Sequence, residues 1–569
     1  MIRSSLAAVS VGIVAFTGCA AQEEPAPEPS PLTVATTYRD GSLIPGMVTD
    51  AESATIVNTL YTPLVTYDAA TSAPVMANAA EITSEDNITW KVQLRPDFSF
   101  HDGTPVLAAN YLQSWNWVAR CETDSPNQYY LGPSVMNVQG YGDVSGRTKA
   151  DGTRDCAGLD RSLRGLTVLD DYSFRITLND PQPALPSMLG HWALSPMSDQ
   201  TLAALQPSQN SGGGAAPVAL TQASPSPSQE DPTDAATGNG PYRLARDTGS
   251  DLQLERYEDY PDTSGLPAAV TFNKYANLTQ AYDSFGPDEL DVLPQVPVSA
   301  LSEGQWQQHV PEGQSGQRPG DTLTSLTFPM YEARYQSTDL RLALAAAIDR
   351  GAIAANAFAD TRQGAQLWAP EPAFGASGAT CEQACGYDAA RARQLFAQSK
   401  DVGEPITIAF NKGGGHSDWV AQACEWITDA IDVPCEANEY QDSDAFFADV
   451  EDKKMTGPFV TSWKLEYPDV AGFLGPLYGS GGVNDGGYEN EAFLNLIDEA
   501  ALLPRDQAQA KYEDAARQLN SDPPATPTFL SDRQLLWSSR IVADSVRLTP
   551  FGLLDVTALQ TEAATPSAG

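Results

Sequence analysis

Two segments, "ITWKVQLR" (88–95) and "YSFRITL" (172–178), place apolar and polar residues in alternation, which predicts half-buried β-strands. "LTVATTY" (32–38) reads as an earlier strand. "AESATIVNTLYTPLV" (51–65) has apolar residues at Ile56, Leu60 and Leu64 and predicts a helix, while "DGTPVLAANYLQSWNWVARC" (102–121) reads as a turn running into an amphipathic helix. "DLRLALAAAIDRGAIAANAF" (339–358) is the clearest helix, with Asp339 as its cap and Leu340, Leu344, Ala347 and Ile348 on one face. "EAFLNLIDEAALL" (491–503) predicts another. Strands and helices alternate throughout without internal repeats, so the fold class is α/β or mixed α+β.

From 206 to 240 the pattern collapses into Ser, Pro, Gly, Ala and Gln. Order resumes at once with "GPYRL", so 206–237 reads as a disordered surface insertion rather than a domain linker. The 569 residues exceed one compact core and predict two or three domains. With 33 basic against 73 acidic side chains the net charge is −40, which repels phosphate backbones and argues against nucleic-acid partners.

The first 18 residues, "MIRSSLAAVSVGIVAFTG", carry one Arg and a short apolar run from Leu6 to Phe16, the pattern of an export signal. "FTGC" resembles the lipobox of bacterial lipoproteins, with Cys19 as the lipid-bearing residue, although Phe16 stands where Leu or Val is usual. Residues 19–31, rich in Pro and Glu, read as a tether that holds the globule off the membrane. No other segment is long enough to span a bilayer, so the membrane is met through the lipid alone. Six cysteines remain: Cys121, Cys156, Cys381, Cys385, Cys424 and Cys435. Six permit fifteen pairings, and sequence proximity favours 121–156, 381–385 and 424–435. Their spacings match no zinc pattern and the four histidines are scattered, so neither a metal nor another cofactor is expected.

Six phrases occur together and in order: "LYTPLVTYD" (60–68), "WKVQLRPDFSFHDGTPVLAANYLQSW" (90–115), "GNGPYRLARDTGSDLQLERYEDY" (238–260), "DLRLALAAAIDRGAI" (339–353), "WKLEYPD" (463–469) and "YENEAFLNLIDEA" (488–500). Together they resemble the family 5 extracellular solute-binding proteins of ABC importers, the peptide- and nickel-type family, and within it the oligopeptide binders. The resemblance implies a two-lobed fold of the periplasmic-binding-protein kind. Lobe I would comprise 32–60, 191–326 and 527–560, a subdomain of lobe I would span 61–190, and lobe II 327–526. "LTSLTF" (323–328) and "TPTFL" (526–530) would be the hinge strands. It further implies a monomer on the outer face of the cell membrane that passes its ligand to a membrane permease.

A peptide enclosed in a cleft loses water from its backbone and its terminal ammonium, so the cleft must replace each partner. β-Augmentation meets the backbone without regard to side chains. The ammonium needs an anion, which in the family's peptide binders is an acidic residue three positions after this tryptophan. Here that is Glu466, where the family more often has Asp. The same resemblance assigns backbone pairing to Trp463, Lys464 and Leu465 on lobe II and to Thr49, Asp50 and Ala51 on lobe I, with Tyr467 and Tyr488 as cleft-lining candidates. Asp469, after Pro468, reads as a turn or cap residue. No G-x-S-x-G, H-E-x-x-H or Walker-type loop occurs, so an enzyme is not expected, although a secreted hydrolase is the contrasting class. Within the family the alternative is a non-peptide solute such as an oligosaccharide or metal chelate.

Overall fold

The computed structural model describes residues 31–38, 42–148, 154–205, 237–286, 289–302, 306–480 and 482–561. The export signal, Cys19 and nearly all of the tether lie outside them, as does the 206–237 insertion except Thr237.

The alternating segments pair with each other. Strand Thr89–Leu94 turns Trp90, Val92 and Leu94 inward and runs antiparallel to Ser173–Thr177. Ala79–Ser84 and Leu166–Asp170 complete a four-stranded sheet. Helix Ala108–Ala119 covers it, packing Tyr111 and Trp115 on Phe174. Residues beyond 190 still belong here: the Trp115 indole donates to Leu194 O at 2.8 Å, and Ser114 Oγ accepts from Met197 N at 2.8 Å. Residues 194–205 therefore pack on the subdomain, past the boundary that the sequence suggests, while Trp192 and Ala193 pack into the core of lobe I.

Lobe I is built on a seven-stranded sheet in the order Tyr242–Asp247, Asp251–Arg256, Ala269–Lys274, Leu32–Thr36, Val292–Leu293, Arg533–Trp537, Ser315–Arg318. Helix Ala51–Leu60 packs Ile56 and Leu60 into its core. It stops there, before Leu64, because Pro63 disfavours helical backbone at Thr62. Lobe II has a six-stranded sheet in the order Gln363–Gly364, Ala525–Leu530, Thr322–Thr327, Phe459–Lys464, Ile406–Asn411, Cys435–Tyr440.

The two hinge-strand segments lie side by side inside this second sheet. Boundaries at 326/327 and 526/527 would cut through paired strands. The chain instead crosses between the sheets at Pro319–Gly320–Asp321 and returns at Ser531–Asp532. Ladder bonds hold each strand to its own sheet, and the residues of the two crossings belong to neither sheet.

The helix expected over 339–358 is two helices, Thr338–Ala347 and Arg350–Phe358. Ser337 rather than Asp339 caps the first, its Oγ accepting from Leu340 N at 3.3 Å. Ile348 is extended, and the Asp349 carboxylate caps the second helix by accepting from Ala352 N at 2.9 Å. A strong local cap thus interrupts a favourable periodicity. The apolar face stands, with Leu340, Leu344, Ala347 and Ile348 buried.

Disulfides join Cys121 to Cys156, Cys381 to Cys385 and Cys424 to Cys435, with Cα separations of 5.5, 5.4 and 4.8 Å. The last ties helix Ser417–Ile431 to strand Cys435–Tyr440. Among the described residues no helix is long and apolar enough to cross a membrane, and no group of three His, Cys, Asp or Glu could hold a metal ion.

Candidate functional site

The strand that carries "WK" is rich in β-formers, and "EYPD" follows it as an irregular bend. Strand Phe459–Lys464 pairs antiparallel with Thr322–Thr327 along its whole length. On its other edge Ile406–Asn411 meets it only at Phe459, and among the described residues no strand pairs there with Thr461–Lys464. Leu465 N–H donates to Asp321 O at 2.8 Å, and Thr322 O faces the opposite way, accepting from Ser531 N at 3.1 Å. Backbone bonding alternates along an antiparallel pair. Trp463 and Leu465 therefore spend their backbone groups on the neighbouring strand, and Ser462 and Lys464 direct theirs to the open edge. Of the three expected pairing residues only Lys464 faces outward, and Ser462 faces outward beside it.

Glu466 sits just past this edge, half-buried. Its Oε2 accepts from the Tyr129 hydroxyl at 2.8 Å. The Tyr130 hydroxyl approaches the Glu466 carbonyl at 3.2 Å and the Met188 carbonyl at 3.1 Å. Both tyrosines lie on the short helical turn Gln128–Leu131 of the subdomain. That turn is fastened to lobe I, because Asn127 Nδ2 donates to Gly46 O at 3.1 Å and to Val48 O at 2.8 Å. Behind it Tyr130, His191 and Trp192 form a stack, with ring centroids 4.2 and 3.8 Å apart. Glu466 thus lies where lobe I, the subdomain and lobe II converge.

Burial raises the pKa of the Glu466 carboxyl, against the opposing pull of the Tyr129 hydroxyl and of Lys464. The Lys464 ammonium is 3.6 Å from Asp321 Oδ2, so two carboxylates flank one cation and the site is net negative. Such an arrangement suits a positively charged visitor.

Other residues fall elsewhere. Trp463 is half-buried and its indole donates to Gly472 O at 3.3 Å. Leu465 and Tyr467 are buried, the Tyr467 ring packing beside Gly472. Tyr488 is 1% exposed and lies in the lobe II core against Phe493 and Tyr478, so it does not line the cleft. Thr49 and Asp50 are exposed, but none of Thr49, Asp50 and Ala51 is in a strand. Asp50 caps helix Ala51–Leu60 by accepting from Ser53 N at 2.8 Å, so its carboxylate is already engaged. Asp469 is both cap and clasp: Oδ1 accepts from Ala471 N at 3.1 Å, while Oδ2 accepts from Arg505 at 3.1 Å and from Ser187 of the subdomain at 3.2 Å. Asn87 adds a second bond across this seam, donating to Leu503 O at 2.8 Å. Tyr129 escaped sequence reasoning because "SPNQYYLG" has neither periodicity nor motif.

Residues 71–485 match the family model for bacterial extracellular solute-binding proteins, family 5. The periplasmic oligopeptide-binding protein OppA of Salmonella typhimurium is 30% identical over 114 residues, 20% of this chain and 19% of that protein. OppA of Haemophilus influenzae is 21% identical over 472 residues, covering 78% of this chain and 77% of the relative. The first match thus spans about a fifth of the relative's length and the second about three quarters. The unliganded open form of MppA, a periplasmic murein tripeptide-binding protein, has the same fold, with a TM-score of 0.77 at 17% identity over 94% of this chain and 98% of that one.

Proposed function

The chain belongs to the bacterial extracellular solute-binding proteins, family 5, and from that premise we propose that it captures peptides between its lobes and delivers them to the permease of an ABC importer. The observation that carries the peptide reading is the half-buried Glu466 carboxylate, whose hydrogen-bond partner is a neutral phenol, placed beside an open strand edge. The edge offers Ser462 and Lys464 backbone groups for an added strand, and the carboxylate offers a counter-charge for its ammonium. Two relatives named as oligopeptide-binding proteins support the same ligand class. In this reading lobe II swings about the crossings at 319–321 and 531–532 and closes Glu466 over the ligand's N-terminus. The protein acts as a monomer, without a cofactor and without turning over what it binds. A lipid on Cys19 holds it at the outer face of the membrane.

Calorimetry with a peptide and its N-acetylated form tests the reading. Tighter binding of the free amine is expected. Equal binding would discard the ammonium anchor and favour a non-peptide solute.

A further inference from the structure

The Tyr129–Glu466 bond joins residues 337 positions apart, one in the subdomain and the other in lobe II. A half-buried carboxylate awaiting a cation faces a physical difficulty. With no partner, burial raises its pKa and favours the neutral form, and with a fixed Lys or Arg its charge is already cancelled. A hydroxyl donor escapes both outcomes, since it stabilises the anion without neutralising it. Tyr129 meets that description. Tyr129 is 40% exposed, so packing alone does not explain its position, and its phenol pKa is raised, first by burial and then by the Glu466 charge, so it remains a proton donor.

The groups around Glu466 leave this role to Tyr129. From lobe II, Lys464 is drawn toward Asp321 at 3.6 Å, Tyr467 is buried, and Asp469 is held by Arg505. From the subdomain, Tyr130 approaches the carbonyl of residue 466 rather than its carboxylate. From lobe I, His191 is buried in the ring stack and held neutral, its pKa lowered to about 3 by burial and by Lys464. The neutral side-chain donor to the carboxylate is the Tyr129 phenol.

We infer that Tyr129 is a positioning residue of this site: its phenol keeps the Glu466 carboxylate ionised and oriented in the empty cleft and remains bonded when a cationic ligand group arrives. The inference rests on the proposed function only for the identity of the ligand group. One carboxylate can accept both donors, because its two oxygens offer about four lone-pair positions. Ligand charge then adds to the phenol instead of displacing it.

The test is Tyr129→Phe in the full chain. In ligand-free protein, the Glu466 carboxyl followed by carbon-detected NMR should titrate at higher pH in the variant. Affinity for a free-amine peptide should fall several-fold near neutrality and by more in mild acid, while the N-acetylated peptide changes little. A merely structural tyrosine would weaken binding equally at every pH. An unmoved Glu466 titration overturns the inference, and so does tighter binding by the variant, which would make Tyr129 a competitor. If the titration moves but neither protein prefers the free amine, the positioning role stands and the ammonium reading fails. Tyr130→Phe, which spares the carboxylate bond, should leave the titration in place.

Discussion

Gly320 and Ser531 meet where the two chain crossings pass: a Cβ on Gly320 would overlap the Ser531 carbonyl oxygen. The same crossings are tied by Gln317, whose amide donates to Asp532 at 2.5 Å. Both passages between the lobes therefore lie in direct contact, and the glycine permits it.

Gly320→Ala must push main chain away from main chain, because the nearest atom to the new methyl is the Ser531 carbonyl oxygen. Overpacking of this kind costs about 1–3 kcal/mol. Urea unfolding should show that loss together with weaker ligand binding. Gly142→Ala, with nothing within 4 Å of the new methyl, serves as the control and should lie within about 0.5 kcal/mol of wild type. Equal stability of the two variants would dissolve the argument.

Glu466→Gln keeps the shape of the anchor and removes its charge. Burying an ammonium without its anion should cost about 3–5 kcal/mol of affinity, roughly two to four decades in Kd. N-acetylation of the peptide should cost wild type a similar amount, and the two losses should not add, since they remove one interaction. Calorimetry on the four combinations provides the answer, and additive losses would place the ammonium elsewhere.

His101, His191 and His416 are neutral in the folded protein: burial lowers their pKa values to about 4, 3 and 4. An unfolded histidine takes up a proton below about pH 6.5, so each of the three makes folding less favourable as the pH falls from 6.5 toward 4. Glu466 and Asp469, raised chiefly by burial, act in the opposite sense, since the folded state keeps their protons to higher pH. Proton NMR of the folded protein should find all three imidazoles titrating below about pH 5. Titration of any of them near 6.5 would contradict the assignment.

Cys19→Ala should release the protein from the membrane into the medium of a Gram-positive host, because it removes the acylated thiol that "FTGC" implies. Fractionation followed by immunoblotting distinguishes the outcomes, and continued retention of the variant would refute lipidation.

What the sequence determined by itself was local. Alternation at 88–95 and 172–178 yields paired strands, and the face of Leu340, Leu344, Ala347 and Ile348 is buried, because a few neighbouring residues suffice to set side-chain periodicity. The helix break at Ile348 was also local, yet it hung on one Asp349 cap outweighing the apolar period. Tertiary structure alone decided the rest. Arg341 is 1% exposed and donates to Asp522, 181 positions away, at 2.5 Å. Tyr488 went into the core, and the crossings moved from the hinge-strand phrases to Gly320 and Ser531, because sheet pairing and not propensity determines where one sheet ends and the other begins. Tyr129 reached Glu466 through two bodies and 337 residues, and no pattern of period two or 3.6 can encode a contact at that distance.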